Sequence, residues 1–386
     1  GEIDRLPFEI TQGVQDPVPN HIYMDCCAYG AAQCCVQATF LARNLAEARF
    51  LTDQYLVLSP IFLALSAASP FFRGLVADVD ARMMTFSQTW DDRNKEELAT
   101  VRNSRASAND LYIGDDLTAD RRRELNDVGP AVHEGTRKVL EEAGLDPLLA
   151  DHVGHLFVRD VLITLPDALT KDDEENADLW EQLQGTNWGS ARLKPPPARS
   201  ANPDGAIGWR VEFRIPEVQI TDFENAAIVA VVRVLTDVMA AGKLDYRIPI
   251  SLCDENFSRA HRRRAASEGK FWWRTPEGKV EEMSLAEVLG GPSGLVTVCS
   301  EFVAAQVAAG KCTQAAADLF TKYAQLLLGR ASGALSTPAT FLRDLLSSHP
   351  EYKGDGVIPP GFMGDLTMLA RGGQLWPEAA AVRKCW

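Results

Sequence analysis

Polar and apolar residues alternate most clearly around residue 210. From Trp209 to Arg214 every second residue is bulky and apolar, and the residues between them are charged. Because successive side chains of a strand point to opposite faces, the pattern predicts a strand over residues 209–220. Its polar face, with Arg210, Glu212 and Arg214, suits either a strand that lines a polar cavity or a sheet surface in water.

The polar face of this strand continues past Pro216 only if the strand contains one extra residue. Glu217 and Gln219 have the opposite parity to Glu212 and its charged neighbours. A bulge near residues 215–216 would bring both sets of polar side chains to one face of the sheet.

Two further segments show the same alternation. Residues 33–40 lie in a stretch, 21–40, that predicts extended chain with a turn at 29–30, and residues 76–87 predict a strand. The side chains that share a face are Cys35, Gln37 and Thr39 on the first segment, and Asp78, Asp80 and Arg82 on the second. We expect the three segments to meet in one polar cavity. Acidic groups there could hold Mg²⁺, and basic groups could hold phosphate or carboxylate.

Apolar residues at helical spacing predict the elements that surround these strands. Residues 44–69 predict a helix that ends before Pro70, and residues 133–161 predict two helical pieces separated at 144–147. Between these regions, residues 90–130 are rich in charged and small polar residues, which is typical of loops with short helices.

A capping box predicts where the next helix begins. Thr221 suits the N-cap and Glu224 the third helical position, so the following apolar segment should be helical to about Leu244. After residue 250 the pattern is mostly helical. We therefore predict that residues 1–250 form a sheet with packing helices and that residues 251–386 form a helical extension of the same domain.

Charge and hydropathy narrow the class of partner. The 386 residues have a net charge of −14, which argues against binding to nucleic acid or to an anionic membrane surface. The apolar stretch 55–72 is interrupted by prolines and serines, and 226–241 contains Arg233 and Asp237 on one helix face. Both predict buried helices and not membrane spans.

The cysteines and histidines do not form a recognisable metal motif. Four of the eight cysteines cluster as two pairs between residues 26 and 35, which is not the spacing of a zinc knuckle. We interpret the thiols as reduced and the protein as cytoplasmic. His152 and His155 could share a helix face, but without a nearby carboxylate pattern a structural role is favoured over a metal site. P-loop and dinucleotide-binding motifs are absent from the sequence.

Short motifs distributed from about residue 20 to residue 353 resemble the catalytic subunit of eukaryotic-type glutamate–cysteine ligases, and they follow the family's order. The motifs are Ile22-Tyr23-Met24-Asp25, Cys34-Cys35-Val36-Gln37, Ser66-Ala67-Ala68-Ser69-Pro70, Asp91-Asp92-Arg93, residues 152–160, Thr186-Asn187-Trp188, Lys194-Pro195-Pro196-Pro197, residues 208–214, residues 221–225 and His349-Pro350-Glu351-Tyr352-Lys353.

The resemblance implies an α+β protein whose antiparallel sheet is curled into a glutamine-synthetase-like funnel with helices outside. It also implies the first step of glutathione synthesis, in which ATP and Mg²⁺ support the joining of the glutamate side-chain carboxylate to the cysteine amine. Family members can pair with a smaller regulatory subunit.

The resemblance also implies roles for individual residues. Glu212 resembles a Mg²⁺ ligand, with Gln37 as a neighbour of the metal cluster. Lys194 resembles a contact to the nucleotide phosphates, and Arg214 resembles a clamp for phosphate or for a substrate carboxylate. Glu212, Arg214 and Lys194 form the catalytic group that the resemblance implies. Arg82, Cys35 and Trp188 resemble substrate-binding residues, respectively a carboxylate clamp, the lining of the glutamate pocket and a wall of the cysteine pocket. Trp188 and Cys35 can equally be packing residues.

Two departures from the family pattern are visible. Ala106 follows Asn103-Ser104-Arg105, where the family has a tyrosine shortly afterwards. The family pattern also begins almost at the first residue, whereas family members have a long section with further strands and acidic metal ligands before it. We therefore expect the chain to be the C-terminal portion of the ligase with an incomplete funnel. The alternative is a non-catalytic fragment or pseudo-enzyme that acts as an interaction module.

Overall fold

The computed structural model describes residues 18–24, 26–163, 177–197, 202–242 and 244–370. In these ranges the helices are α1 (Ala28–Ala31), α2 (Leu45–Ser66), α3 (Met83–Thr89), α4 (Lys95–Thr100), α5 (Ala119–Leu125), α6 (Glu134–Glu142), α7 (Pro147–Leu156), α8 (Asp178–Gly185), α9 (Asp222–Gly242), α10 (Ile250–Ala260), α11 (Ala265–Glu268), α12 (Leu285–Gly290), α13 (Leu295–Ala308), α14 (Gln314–Ala331), α15 (Pro338–Ser347) and α16 (Pro360–Ala370). The strands are β1 (Ala38–Leu41), β2 (Phe71–Phe72), β3 (Leu75–Val76), β4 (Ala191–Lys194), β5 (Arg210–Phe213), β6 (Lys270–Arg274) and β7 (Val280–Ser284).

The sheet that matters for function has three antiparallel strands in the order β1-β5-β4. Val211 and Phe213 lie on its apolar face and are almost completely buried, as the alternation predicts. The Phe213 ring packs against Tyr55 and Phe62 of α2, with ring centroids 5.0 Å and 5.6 Å away. The other face of β5 carries the charged residues, so the side of the sheet away from α2 is polar.

Helix α2 is the central support of this sheet. The Asn44 side chain caps it by accepting a hydrogen bond from the Glu47 N–H at 2.9 Å, which begins the helix where the sequence predicts. Nearly every residue from Ala48 to Ser66 is buried, because β4, β5, α9 and α10 pack around the helix. Because the helix is buried on all sides, its apolar residues are not confined to one face, which explains its weak amphipathic pattern.

The predicted capping box at the start of α9 is present. Thr221 Oγ1 accepts a hydrogen bond from the Glu224 N–H, and the Glu224 carboxylate accepts from the Thr221 N–H at 2.9 Å. Helix α9 then packs against α14 and α13. Among the residues that the structure describes, it is one of two stretches, with Leu285–Ala308, that are long and apolar enough to cross a membrane by length and composition alone.

The prediction of a strand over residues 76–87 is wrong. Only Leu75–Val76 is strand, and residues from Met83 onward form α3. The segment between them bends at Asp78, Asp80 and Arg82 and is held by contacts to distant parts of the chain. Asp80 pairs with Arg343 at 2.6 Å, and its backbone N–H donates to His261 O. Alternation in this segment therefore reflects several separate contacts and not a sheet ladder.

Two other sequence predictions need correction. The extended chain predicted over residues 21–40 contains the short helix α1, Ala28–Ala31. The strand predicted over residues 209–220 is limited to Arg210–Phe213, because the chain bulges before Pro216, which has no N–H for a ladder. The region after residue 250 is mostly helical, as predicted, and also contains the hairpin β6–β7, whose Phe271 and Trp273 are buried and alternate with Lys270, Trp272 and Arg274. The two helical pieces at 133–161 are confirmed as α6 and α7, separated near residues 144–146.

The fold is therefore α+β with small antiparallel sheets, as predicted at that level. The main hydrophobic core takes residues from both sides of residue 250, for example Tyr55 and Phe213 from one side and Phe271 and Leu327 from the other. The boundary between the two predicted parts stays a prediction.

Candidate functional site

Glu212 lies at the centre of a cluster of cations on the polar face of the sheet. The strand register places Arg192 of β4 and Thr39 of β1 directly opposite it. Glu212 Oε2 is 2.8 Å from Lys194 Nζ, and Oε1 is 3.4 Å from Arg192 Nη1 and 3.7 Å from Arg214 Nε. Three cations therefore surround one largely buried carboxylate.

The balance of burial and charge decides the ionisation of this cluster. Burial alone raises the pKa of Glu212, but the hydrogen bond from Lys194 and the charges of Arg192 and Arg214 outweigh it and lower the pKa below its usual range. Burial lowers the pKa of Arg214 to about 10, although the charge of Glu212 opposes that shift. At neutral pH Glu212 is ionised and Arg214 is protonated.

Arg82 joins this cluster from a distant part of the sequence. It is 3% exposed, and its Nη2 donates a hydrogen bond to Arg214 O at 3.3 Å. Its guanidinium also lies over the Phe86 ring, 5.4 Å from the centroid. Arg82 therefore lies next to Arg214 although it is not on a strand, and the convergence of Arg82 with Lys194, Glu212 and Arg214 on one concave site stays a prediction.

The predicted bulge next to Pro216 brings Cys35 and Gln37 to the same cluster. Ala38 pairs with Phe213 and Cys35 pairs with Glu217, so three residue steps on one side oppose four on the other. The Gln37 amide Nε2 is 3.1 Å from Cys35 Sγ. Cys35 is half-buried and lies close enough to Arg214 to influence the pKa of that guanidinium electrostatically.

Trp188 lies in a neighbouring aromatic group. Its ring centroid is 5.0 Å from that of Trp90 and 6.2 Å from that of Phe86. Phe86 is the ring beneath the Arg82 guanidinium, so Trp188 is separated from Arg82 by one aromatic side chain. Trp188 is half-buried, which leaves part of the indole accessible to a ligand.

The other candidates from the sequence have structural surroundings. Burial lowers the pKa of His152 to about 4, and His155 Nδ1 is 2.7 Å from Ala131 O. The seven cysteines within the described ranges are free thiols. Those ranges contain no group of three or more histidine, cysteine or acidic side chains placed to hold a metal ion.

The comparisons with known proteins identify the family of the chain. A family model described as Glutamate-cysteine ligase matches residues 4–371. The chain belongs to the glutamate-cysteine ligase family. All the residues of the cluster lie inside the matched range.

Individual ligases are similar along most of the chain. A glutamate–cysteine ligase of Dictyostelium discoideum is 36% identical over 370 residues, which cover 90% of this chain and 58% of that protein. The glutamate–cysteine ligase catalytic subunit of Homo sapiens is 37% identical, with 88% of this chain and 57% of the human protein covered. A glutamate–cysteine ligase of Schizosaccharomyces pombe is 38% identical, with 92% and 54% covered. The chain thus spans a little over half the length of the curated relatives it matches.

Sequence reasoning missed Arg192, which makes one of the three cationic contacts of Glu212 in this member of the glutamate-cysteine ligase family. Its Nη2 also donates to Gln184 O at 2.9 Å, so the guanidinium is held between α8 and Glu212. The available signal was the alternation of Ala191, Arg192, Leu193 and Lys194, whose charged members share a face. The prolines that follow Lys194 made the segment resemble a loop.

The cluster fits the anionic part of the nucleotide that the ligase family implies. Arg214 Nη1 and Arg82 Nε are buried and have no hydrogen-bond partner among the described residues. A phosphate or carboxylate oxygen would satisfy such donors. The cluster has fewer ligands to offer Mg²⁺, because Glu212 is its single carboxylate. One or two carboxylates with phosphate oxygens are, however, a common way to hold this ion.

Proposed function

We propose that the protein joins the side-chain carboxylate of glutamate to the amine of cysteine in an ATP- and Mg²⁺-dependent reaction, the first step of glutathione synthesis. Membership of the family supports this proposal. The observation that carries it is the cluster in which Lys194, Arg192 and Arg214 surround the ionised Glu212, with Arg82 bound to the backbone of Arg214. Such a site suits charge stabilisation during phosphoryl and acyl transfer.

The proposed reaction has two steps. The glutamate side-chain carboxylate attacks the terminal phosphorus of ATP, the bond from that phosphorus to the bridging oxygen breaks, and ADP leaves. The cysteine amine then attacks the acyl carbon, phosphate leaves with the electrons of its bond to that carbon, and the amine loses a proton. The protein must hold three charged reactants close together in a fixed orientation, which supplies much of the acceleration.

We assign Arg82 to a carboxylate of the glutamate substrate, because its buried guanidinium has an unpaired donor and lies between Arg214 and an aromatic ring. Cys35, beside Arg214, lines the same pocket. Trp188 forms a wall of the cysteine pocket, at the far side of the Phe86 ring.

We assign Lys194 and Arg214 to the phosphates of ATP, since both present positive charge at Glu212. Glu212 and Gln37 would hold Mg²⁺ together with phosphate oxygens, and the lowered pKa keeps Glu212 ionised for this purpose. When bound, the ion neutralises phosphate charge. The cations around Glu212 stabilise the negative charge that moves between the nucleotide and the acyl group.

Three further features belong to the proposal. The sheet β1-β5-β4 is part of a glutamine-synthetase-like funnel. The enzyme works in the cytoplasm, where its free cysteines stay reduced. A smaller regulatory subunit is a partner of the kind that the family resemblance implies.

The test is to incubate the purified full-length protein with glutamate, cysteine, ATP and Mg²⁺ and to identify products by mass spectrometry. We expect γ-glutamylcysteine and ADP in equal amounts, with ADP formation that requires Mg²⁺. Glu212→Gln should lose most of this activity, whereas Glu124→Gln, a change at an exposed glutamate paired with Arg121, should retain it. Protein that is folded but forms no product would contradict the proposal and favour a non-catalytic interaction module.

A further inference from the structure

A second buried glutamate, Glu217, lies beside the cluster but does not contact a cationic side chain through a close ion pair in the described residues. It is 1% exposed and pairs with Cys35 immediately after the bulge. Burying an ionised carboxylate is costly unless hydrogen-bond donors compensate it. The hydrogen-bond donors that compensate the Glu217 carboxylate indicate its role.

Every hydrogen bond to the Glu217 carboxylate comes from the two segments that flank the first short hairpin. Oε1 accepts from the backbone N–H of Arg82. Oε2 accepts from the Ala68 N–H at 2.7 Å and from Ser69 Oγ at 2.9 Å. The Glu217 N–H in turn donates to Ser66 Oγ at 3.0 Å. Glu217 thus ties the end of α2 to the residue that precedes α3.

The position of Arg82 depends on this link. Among the described residues its guanidinium has one acceptor, Arg214 O at 3.3 Å, and its Nε has none. No carboxylate among the described residues forms an ion pair with it within 4.0 Å. The Glu217 carboxylate therefore binds the backbone N–H of Arg82. It places negative charge next to Arg82 and leaves the guanidinium available.

We propose that Glu217 is a positioning residue for substrate recognition, which fixes Arg82 so that its guanidinium receives a carboxylate of glutamate. This inference rests on the proposed function and deepens it. A carboxylate side chain that paired with the Arg82 guanidinium would compete with the substrate. The Glu217 carboxylate binds the Arg82 backbone N–H and does not compete. The arrangement combines charge compensation with an open binding group.

Glutamine is an informative replacement at this position. Glu217→Gln keeps the size of the side chain, and its oxygen can still accept from one donor. Its NH₂ group must then face donors that the carboxylate had satisfied, so the segment around Arg82 is expected to move. We expect the KM and Kd for glutamate to rise at least about tenfold, while the KM for ATP changes less than about twofold.

Glu224→Gln is the matched control. Glu224 is also fully buried and pairs with Arg330, but it does not contact Arg82. This control should lower the melting temperature without a selective change in glutamate affinity, so a general loss of stability can be separated from loss of positioning. Ser69→Ala provides a milder variant that removes one donor to Glu217 and should raise the glutamate KM about threefold.

Steady-state kinetics, calorimetric glutamate titration and thermal melts of the four proteins decide the outcome. A selective rise in glutamate KM and Kd in Glu217→Gln, or in Ser69→Ala if the first variant does not fold, supports the inference. Unchanged glutamate affinity in a folded variant, or equal effects in the Glu224→Gln control, overturns it and leaves the proposed function standing. A wild-type protein that neither binds glutamate nor forms product overturns both.

Discussion

The ammonium group of Lys194 donates a hydrogen bond to Glu212 across neighbouring antiparallel strands, with 2.8 Å between Nζ and Oε2. Both residues lie on the polar face of the sheet, one at the end of β4 and one within β5. The contact is one of three that keep a buried carboxylate ionised. The site therefore has a negative charge on Glu212 and positive charges around it. The positive charges suit a phosphate group, and the carboxylate suits the metal ion that accompanies the phosphate.

Glu212→Gln should lower the chemical rate far more than it weakens glutamate binding. A neutral amide keeps the shape of the side chain but no longer balances the three cations or binds a metal ion as a carboxylate does. Loss of one such electrostatic contact typically costs about 10²–10³ in rate, or roughly 3–4 kcal/mol. Steady-state kinetics at several Mg²⁺ concentrations measure the effect. Near-normal turnover with unchanged Mg²⁺ dependence would show that this face of β5 has no catalytic role.

Arg82→Ala should affect binding as well as turnover. A carboxylate clamp acts on the bound substrate and on the transition state, so the glutamate KM should rise at least about tenfold. Arg73→Ala is a suitable comparison, because Arg73 is an exposed arginine whose Nη1 donates to Tyr23 O. Equal kinetics of the two variants would remove Arg82 from the substrate site.

Arg192→Leu should change the pH dependence of the reaction. Arg192 helps to lower the pKa of Glu212, so its removal raises that pKa towards the ordinary value of a glutamate. Glu212 must be ionised to work, and the acidic limb of kcat/KM should therefore move to higher pH. The control is Arg210→Leu, on the same sheet, where the guanidinium donates to Pro195 O at 2.7 Å. A parallel shift in both variants would argue against a specific effect of Arg192.

The sequence predicted features that depend on neighbouring residues. The caps Asn44 and Thr221 act within three or four positions, and both begin their helices where expected. The bulge also follows from local parity, since Glu212 and Glu217 can share a side of the sheet only if one residue is extra. Short-range chemistry was therefore sufficient for these elements.

Features held by distant residues were predicted less well. The segment before α3 alternates like a strand, but Asp80 is bound by Arg343, which is 263 residues away. Arg192 became part of the site because β4 pairs with β5, and the intervening loop gives no sign of that pairing. The family resemblance supplied the positions of Glu212 and Arg82, whereas only the structure revealed that Arg192 and Glu217 support them.

His261 contacts the start of α3, directly after Arg82, and provides a test of how this part of the chain responds to pH. Its Nε2 accepts a hydrogen bond from the Met84 N–H at 2.8 Å, and its Nδ1 donates to Phe257 O. This tautomer requires a neutral ring, and burial lowers the pKa of His261 to about 4, with the nearby positive charge of Arg82 acting in the same direction. A protonated ring could no longer accept the N–H at the start of α3.

The sign of the effect follows from linkage. In the unfolded chain the histidine pKa is about 6.5, so the unfolded state takes up a proton that the folded state refuses between about pH 6.5 and pH 4. The stability linked to His261 is therefore fully present above pH 6.5 and is lost as the pH falls.

The variant His261→Gln tests this effect, because its amide can accept from one group and donate to the other. Between pH 7.5 and pH 5.5 its free energy of unfolding should fall by about 1 kcal/mol less than that of the wild type. Urea unfolding at the two pH values measures this difference, and His21→Gln, at an exposed histidine, is the control. If wild type and His261→Gln lose the same free energy of unfolding, the neutral ring does not hold α3 and the link from pH to the Arg82 segment is absent.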